Sequence, residues 1–280
     1  MPLQNGAGKD TVIPGAPAIG VLDSGVGGLS VLREIHRLLP DYPTLYFADQ
    51  LHVPYGPRSN EELLTFVDAI TRFLLARGAR VVVLACHAAS AAALYTLRQR
   101  YPAVPFVGIE PAVKPAVTRS REQRVGVLTT WATAEGSLYR RVLERFAGGA
   151  QVITQVAPEL VDLVERGTAN TPEGQRLIME IVQPLMAAGA DEIVLACTHF
   201  PFLMESIRRA AGPDVELVDP GPAVARQVAR VLPADVQPAA QPPRYFTSGD
   251  PGRFREQIRR LIHQTPDAVR KVLPDLSAEA

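Results

Sequence analysis

Lysine and cysteine are both scarce in this chain. Of its 29 basic residues only Lys9, Lys114 and Lys271 are lysine, the others being arginine. A Schiff-base mechanism would have to use Lys114, lodged between Pro111 and Pro115, or a lysine near a terminus, which argues against pyridoxal chemistry. Two cysteines, Cys86 and Cys197, are too few for a disulfide framework and fit a reducing compartment. There is no excess of charge of either sign, 29 basic residues facing 29 acidic ones. Nothing electrostatic therefore recommends nucleic acid or an anionic membrane as a partner. Long apolar runs are missing too. Val81–Cys86 is typical, far short of the roughly 20 residues that span a bilayer. Residues 1–18 hold no continuous apolar stretch, so no secretory signal is expected and the chain reads as soluble and cytoplasmic. What is present, 47% hydrophobic and 21% charged residues over 280 positions, excludes a wholly disordered chain and suffices for one large or two modest cores.

Short β-branched runs alternate with longer helical patterns. Strands are expected at 18–23, 44–49, 79–86, 105–109, 124–129, 150–155, 192–197, 215–218 and 244–247. Helices are expected at 28–39, 60–77, 88–101, 134–146, 172–188, 202–211, 222–232 and 252–263, with a Pro- and Ala-rich loop over 233–243. Strands that lack in–out alternation are buried on both faces, which predicts parallel sheets flanked by helices. The halves also echo one another. Gly78-Ala79 leading to Val83-Leu84-Ala85-Cys86 recurs as Gly189-Ala190 leading to Val194-Leu195-Ala196-Cys197, and Gly20-Val21-Leu22-Asp23 answers Gly126-Val127-Leu128-Thr129. Two echoes in the same order indicate a duplicated unit. The expected fold is α/β: two pseudo-symmetric lobes with mainly parallel sheets and a cleft between them. The expected division is a flexible segment 1–17, a first lobe of 18–111 plus 220–265, a second lobe of 112–219, and a polar tail 266–280.

Ligands of open α/β sheets bind beyond the carboxyl ends of the strands. Cys86, Cys197, Asp23 and Thr130 should all lie there, with one thiol on either side of the cleft. A carbon acid flanked by two proton carriers can lose hydrogen to one and regain it from the other on the opposite face, which inverts the centre. Thiols suit this when neighbours or helix N-terminal amides stabilise the thiolate.

Five segments carry a family resemblance. Asp23-Ser24-Gly25-Val26-Gly27-Gly28-Leu29-Ser30, Pro54-Tyr55-Gly56-Pro57-Arg58-Ser59, Gly108-Ile109-Glu110-Pro111-Ala112, Cys197-Thr198-His199-Phe200-Pro201 and Thr247-Ser248-Gly249-Asp250-Pro251 together resemble bacterial glutamate racemase, over roughly residues 19–262. The resemblance implies a cofactor-independent, metal-free, two-base racemase that interconverts L- and D-glutamate, the latter a peptidoglycan precursor, and acts as a homodimer. It makes Cys86 and Cys197 the catalytic thiols. Asp23 would assist Cys86; the alternative for an Asp before Ser-Gly is a helix N-cap. His199 and Glu165 would assist Cys197, the alternatives being a turn-closing histidine and a solvated helix-face glutamate. Backbone amides around Ser24 and Tyr55-Gly56 would hold a carboxylate, and Thr130, Thr133 and Thr198 would supply hydroxyls.

One position departs from the family. Asn-Thr usually follows the first cysteine, and His87-Ala88 stands here. Alanine cannot donate a hydrogen bond. Histidine can, and the expectation is that His87 takes over the polar contact, carries charge near neutral pH and favours the Cys86 thiolate. The change keeps open a related two-cysteine racemase of aspartate- or hydantoin-like substrates, and a non-catalytic binding or regulatory relative. A dinucleotide fingerprint at Gly25-Val26-Gly27 fails because Ser30 holds its last glycine position. A zinc site from Cys86, His87, Cys197 and His199 has poor ligand spacing.

Overall fold

A computed structural model describes residues 16–239 and 241–277, so the lead-in expected over 1–17 lies almost wholly outside the described residues. The strands are β1 (Ala18–Asp23), β2 (Thr44–Ala48), β3 (Ala79–Leu84), β4 (Phe106–Gly108), β5 (Arg124–Thr129), β6 (Gln151–Val156), β7 (Glu192–Leu195), β8 (Glu216–Val218), β9 (Arg244–Thr247) and β10 (Val269–Lys271). The helices are α1 (Leu29–Leu38), α2 (Asn60–Ala76), α3 (His87–Arg100), α4 (Val113–Arg119), α5 (Trp131–Ala134), α6 (Ser137–Phe146), α7 (Glu159–Arg166), α8 (Pro172–Ala187), α9 (Met204–Ala211), α10 (Gly221–Val231) and α11 (Pro251–Ile262). No helix among the described residues is long and apolar enough to cross a membrane.

Among the described residues two sheets form, and every ladder in them is parallel. One has the order β10-β9-β2-β1-β3-β4, the other β6-β5-β7-β8. The series β2-β1-β3-β4 and β6-β5-β7-β8 have the same chain-order pattern. The echoed strings fall on equivalent strands, β1 answering β5 and β3 answering β7. Register carries the equivalence further: Leu22 pairs with Leu84 in the first sheet as Leu128 pairs with Leu195 in the second. Each central strand is buried on both faces because helices cover both sides, which is why Val and Leu run through them without alternation.

Three apolar clusters form among the described residues. The largest joins the α1, α10 and α11 side of the first sheet (Leu32, Val228, Ile258) to α7, α8 and α9 of the second lobe (Leu160, Leu185, Ile207). The lobes therefore share a core rather than meeting through a linker. A second cluster packs α2 and α3 on the other face of the first sheet, and a third packs α4 and α6 on the second sheet. Each fully buried Val or Leu contributes about 1.5–3 kcal/mol.

Four elements go beyond the sequence expectation. Helix α4 forms despite Pro115, which sits in its first turn, where the missing N–H has no helical partner to lose. Helix α5 is a single turn. Helix α7 runs from Pro158 to a left-handed C-cap at Gly167 (φ 74°), burying Leu160, Val161, Leu163 and Val164 on one face. The stretch after 266, expected as a plain tail, contributes β10 to the first sheet beside β9.

Candidate active site

Both cysteines stand two residues beyond a strand, whereas the sequence predicts strands that end on them. Cys86 follows β3 and occupies the N-cap of α3 with extended backbone (φ −79°, ψ 129°). Cys197 follows β7 and opens the segment Cys197-Thr198-His199, which runs through a 3₁₀ turn, Phe200–Leu203, into α9. The two thiols line one cavity of about 840 Å³. They differ in surroundings. Cys86 is buried beside the Ser24 hydroxyl, with Oγ 4.0 Å from its sulfur. Burial, and then the charges of Asp23 and Cys197, push its thiol up to about 12, against the opposing pull of the Ala89 and Ala88 amides. Cys197 is half-buried, with His199 Nδ1 3.8 Å from its sulfur.

The Asp23-Ser24-Gly25-Val26-Gly27-Gly28 turn lies directly against the Cys197 segment. A Cβ on Gly27 would come within 2.4 Å of both His199 Nδ1 and Thr198 Oγ1, and one on Gly25 within 2.3 Å of Glu165 Oε1. Only backbone fits there. Asp23 is not a helix N-cap. Gly28 holds that place at α1 with no side-chain bond, and Asp23 Oδ2 instead accepts from the Gly25 amide at 3.1 Å. Its other oxygen accepts from Thr198 Oγ1 at 3.3 Å. Burial raises the Asp23 carboxyl above its ordinary range, a rise augmented by Glu165 and opposed by His199 and the Gly25 and Gly28 amides.

On the other side, Glu165 is buried, so the solvated reading fails. Its Oε1 accepts from His199 Nε2 at 2.9 Å and from the Val26 amide at 3.1 Å. Burial would raise this carboxyl, but hydrogen bonding and attraction from His199, with the Val26 and Gln257 bonds, hold it below its usual range. Burial likewise opposes a charged His199, yet the bonds and charges of Cys197 and Glu165 raise it well above the ordinary imidazole value. His199 does precede a turn, but its ring is committed between a sulfur and a carboxylate.

The remaining predicted residues gather at the same cavity. Ser24, Tyr55 and Gly56 line it from the first lobe, and Thr130, Thr133 and Thr198 from the second. The Tyr55 hydroxyl is already committed, donating to Asp49 Oδ2 at 2.7 Å, while Ser248 Oγ donates to Asp49 Oδ1 at 2.7 Å. Thus Thr247-Ser248-Gly249 braces the Pro54-Tyr55-Gly56 wall through Asp49. The Thr133 hydroxyl is buried without a hydrogen-bond partner. Ala88 also lines the cavity.

His87 corrects an expectation. It is 4% exposed, lines the cavity, and neither ring nitrogen has a hydrogen-bond partner. Burial pulls its pKa down to about 3, so the ring is neutral at physiological pH and supplies no positive charge to the Cys86 thiolate. What survives is a neutral donor-acceptor facing the cavity.

Three further residues, beyond the predicted site residues, join the site. Gln257 donates to Glu165, and Arg58 and Arg140 line the cavity. Gln257 does leave a trace: a polar residue among Phe254, Ile258 and Ile262 on the apolar face of α11. No group of three or more His, Cys, Asp or Glu among the described residues is placed to hold a metal ion.

Two equivalent sheets, each delivering a thiol from beyond its carboxyl edge to one shared cavity, define a two-lobed α/β protein of the thiol-pair type. The chain matches the Asp/Glu/hydantoin racemase family model over residues 19–228 and belongs to that family. It is 48% identical to a glutamate racemase of Roseiflexus over 251 residues, covering 88% of this chain and 92% of that one. It is 47% identical to a glutamate racemase of Ectopseudomonas mendocina, covering 87% and 94%. Among solved structures, Escherichia coli glutamate racemase in complex with L-glutamate and the activator UDP-MurNAc-Ala superposes with a TM-score of 0.83 at 31% identity, covering 92% of this chain and 98% of that one. A Bacillus anthracis glutamate racemase isoform gives the same TM-score and identity, covering 91% and 97%.

Proposed function

We propose that this protein interconverts L- and D-glutamate by a cofactor-independent two-base reaction in which Cys86 and Cys197 exchange roles. The observation that carries this reading is the presence of both thiols on one cavity, each at the end of an equivalent strand. One sulfur, as thiolate, removes the α-hydrogen as a proton, and the electron pair stays on the α-carbon. The other, as thiol, delivers its proton to the opposite face. Thiolate and thiol have then changed places, and the reverse reaction is ready. The two sides differ in surroundings. Burial raises the Cys86 thiol and the Asp23 carboxyl, while His199, held by Cys197 and Glu165, is raised well above the ordinary imidazole value.

Asp23 is the acid-base partner of Cys86, and His199 with Glu165 that of Cys197. Amides around Ser24 and Tyr55-Gly56, the hydroxyls of Thr130, Thr133 and Thr198, and the neutral His87 ring hold the polar groups of the substrate. Unpaired buried polar atoms at His87 and Thr133 favour this reading, since such atoms are costly unless a ligand satisfies them. The lobes 18–111 with 220–265, and 112–219, are the units that close on the substrate. Family resemblance further supports a cytoplasmic homodimer whose D-glutamate enters peptidoglycan.

Racemisation of each glutamate enantiomer, followed by optical rotation, tests the reading. Turnover is expected with both, and Cys86→Ser and Cys197→Ser should each suppress it. The His87-Ala88 pair favours one second reading, a racemase of shifted specificity. Turnover of aspartate with none of glutamate would support that instead.

A further inference from the structure

Glu165 belongs to the second lobe, yet much of its hydrogen bonding comes from the first. Gln257 Nε2, on α11, lies 3.0 Å from Glu165 Oε2 and 3.0 Å from the Glu165 carbonyl oxygen. Both neighbours are acceptors, which fixes the orientation of the amide. Gln257 Oε1 then accepts from Gln50 Nε2 at 2.7 Å, and Gln50 Oε1 accepts from Thr247 Oγ1 at 3.0 Å. Gln257 is 2% exposed, so this pairing satisfies both ends of a fully desolvated amide. A continuous chain runs Thr247–Gln50–Gln257–Glu165–His199–Cys197.

We propose that Gln257 is a positioning residue, braced by Gln50, that holds Oε2 and the main chain of Glu165 so that Oε1 stays on His199 and sets the proton balance on the Cys197 side. Its role in turnover rests on the racemase reading above. The groups facing Glu165 are His199 with Cys197 behind it, Asp23 from β1, Tyr46 from β2 and Arg260 from α11. None can replace Gln257. Arg260 is committed to the Val164 carbonyl at 2.8 Å, the Tyr46 hydroxyl to the Gly25 carbonyl at 2.9 Å, and Asp23 repels a carboxylate. An apolar side chain at 257 leaves Oε2 buried without a donor, so Glu165 takes up a proton at higher pH. His199 then loses its anionic partner, and the Cys197 sulfur loses a charged neighbour.

The test is the pH dependence of Cys197 alkylation by iodoacetamide in a Cys86→Ser background, alongside the pH profile of kcat/KM with both cysteines present. With Gln257→Met the acid limb of each should rise by about one pH unit. Gln50→Leu should move it less, both in proteins whose thermal transitions show them folded. If Gln257→Met does not fold, the displacement of the Gln50→Leu limb from wild type decides. Acid limbs that superpose on wild type in folded variants, even with activity lowered, overturn the proposal. Ordered alkylation limbs in a protein that does not racemise glutamate would leave this placement standing and remove the racemase reading alone.

Discussion

Thr198 Oγ1 donates to Asp23 Oδ1 across 3.3 Å, joining the residue after one cysteine to the carboxyl beside the other. The bond crosses between the lobes. Ser30 Oγ reinforces it by donating to the Thr198 carbonyl at 2.9 Å. Asp23→Asn keeps the shape and removes the titrating group. Its kcat should fall on the order of a hundredfold with the thermal transition unchanged or higher, because a buried carboxyl has been neutralised. Steady-state kinetics with both enantiomers checks this; unchanged kcat would remove Asp23 from the Cys86 side.

His87 should separate binding from stability. Replacing a buried, unpartnered imidazole with leucine removes an unsatisfied polar group, so His87→Leu should melt no lower than wild type. Its KM for glutamate should rise about tenfold or more, equivalent to losing at least ~1.4 kcal/mol of substrate interaction. The pair His87→Asn with Ala88→Thr should lower KM from that level. Equal KM in all three proteins would leave His87 as packing only.

The His199–Glu165 pair predicts a stability window. His199 has a folded-state pKa raised above its ordinary value of 6.5, so its contribution is complete below that and is lost as pH rises through the folded value. Glu165 is lowered from 4.5, so its contribution is complete above that and is lost as pH falls through its folded value. The difference in Tm between wild type and Glu165→Gln should therefore be widest between those two ordinary values and narrow on either side. A difference flat from acid to alkaline pH would contradict an ion pair.

Gly27→Ala should be severe. The added methyl meets His199 Nδ1 and Thr198 Oγ1 at 2.4 Å, so the turn or the Cys197 segment must move. A cost of ~1–3 kcal/mol in chemical denaturation is expected, with activity lost beyond what that cost explains.

Much of this was legible in the sequence because it rests on short-range pattern. Buried parallel strands read as unbroken Val and Leu runs, and the doubled Val-Leu-Ala-Cys string marked β3 and β7 as equivalent. The cysteines and Asp23 are marked by their place at predicted strand ends, and His199 by the family resemblance of Cys197-Thr198-His199. Glu165 is ambiguous in the sequence because a glutamate on a helix face reads as solvated, although Pro158 before α7 and Gly167 after it bound a clean apolar stripe. The charge state of His87 could not be read, since its burial is set by the packing of two lobes and not by its neighbours in sequence. Gln257 lies 92 residues from its partner and owes its role to tertiary contact alone.

The most direct measurement is isotopic. A single glutamate enantiomer is racemised in deuterated water and stopped early, and deuterium at the α-carbon is read separately in product and recovered substrate. Opposed thiols predict a product that carries solvent deuterium from its first appearance while the remaining substrate stays protiated. Product that keeps the original hydrogen, or substrate and product labelled at equal rates from the start, would mean one base serving both faces and would contradict the account.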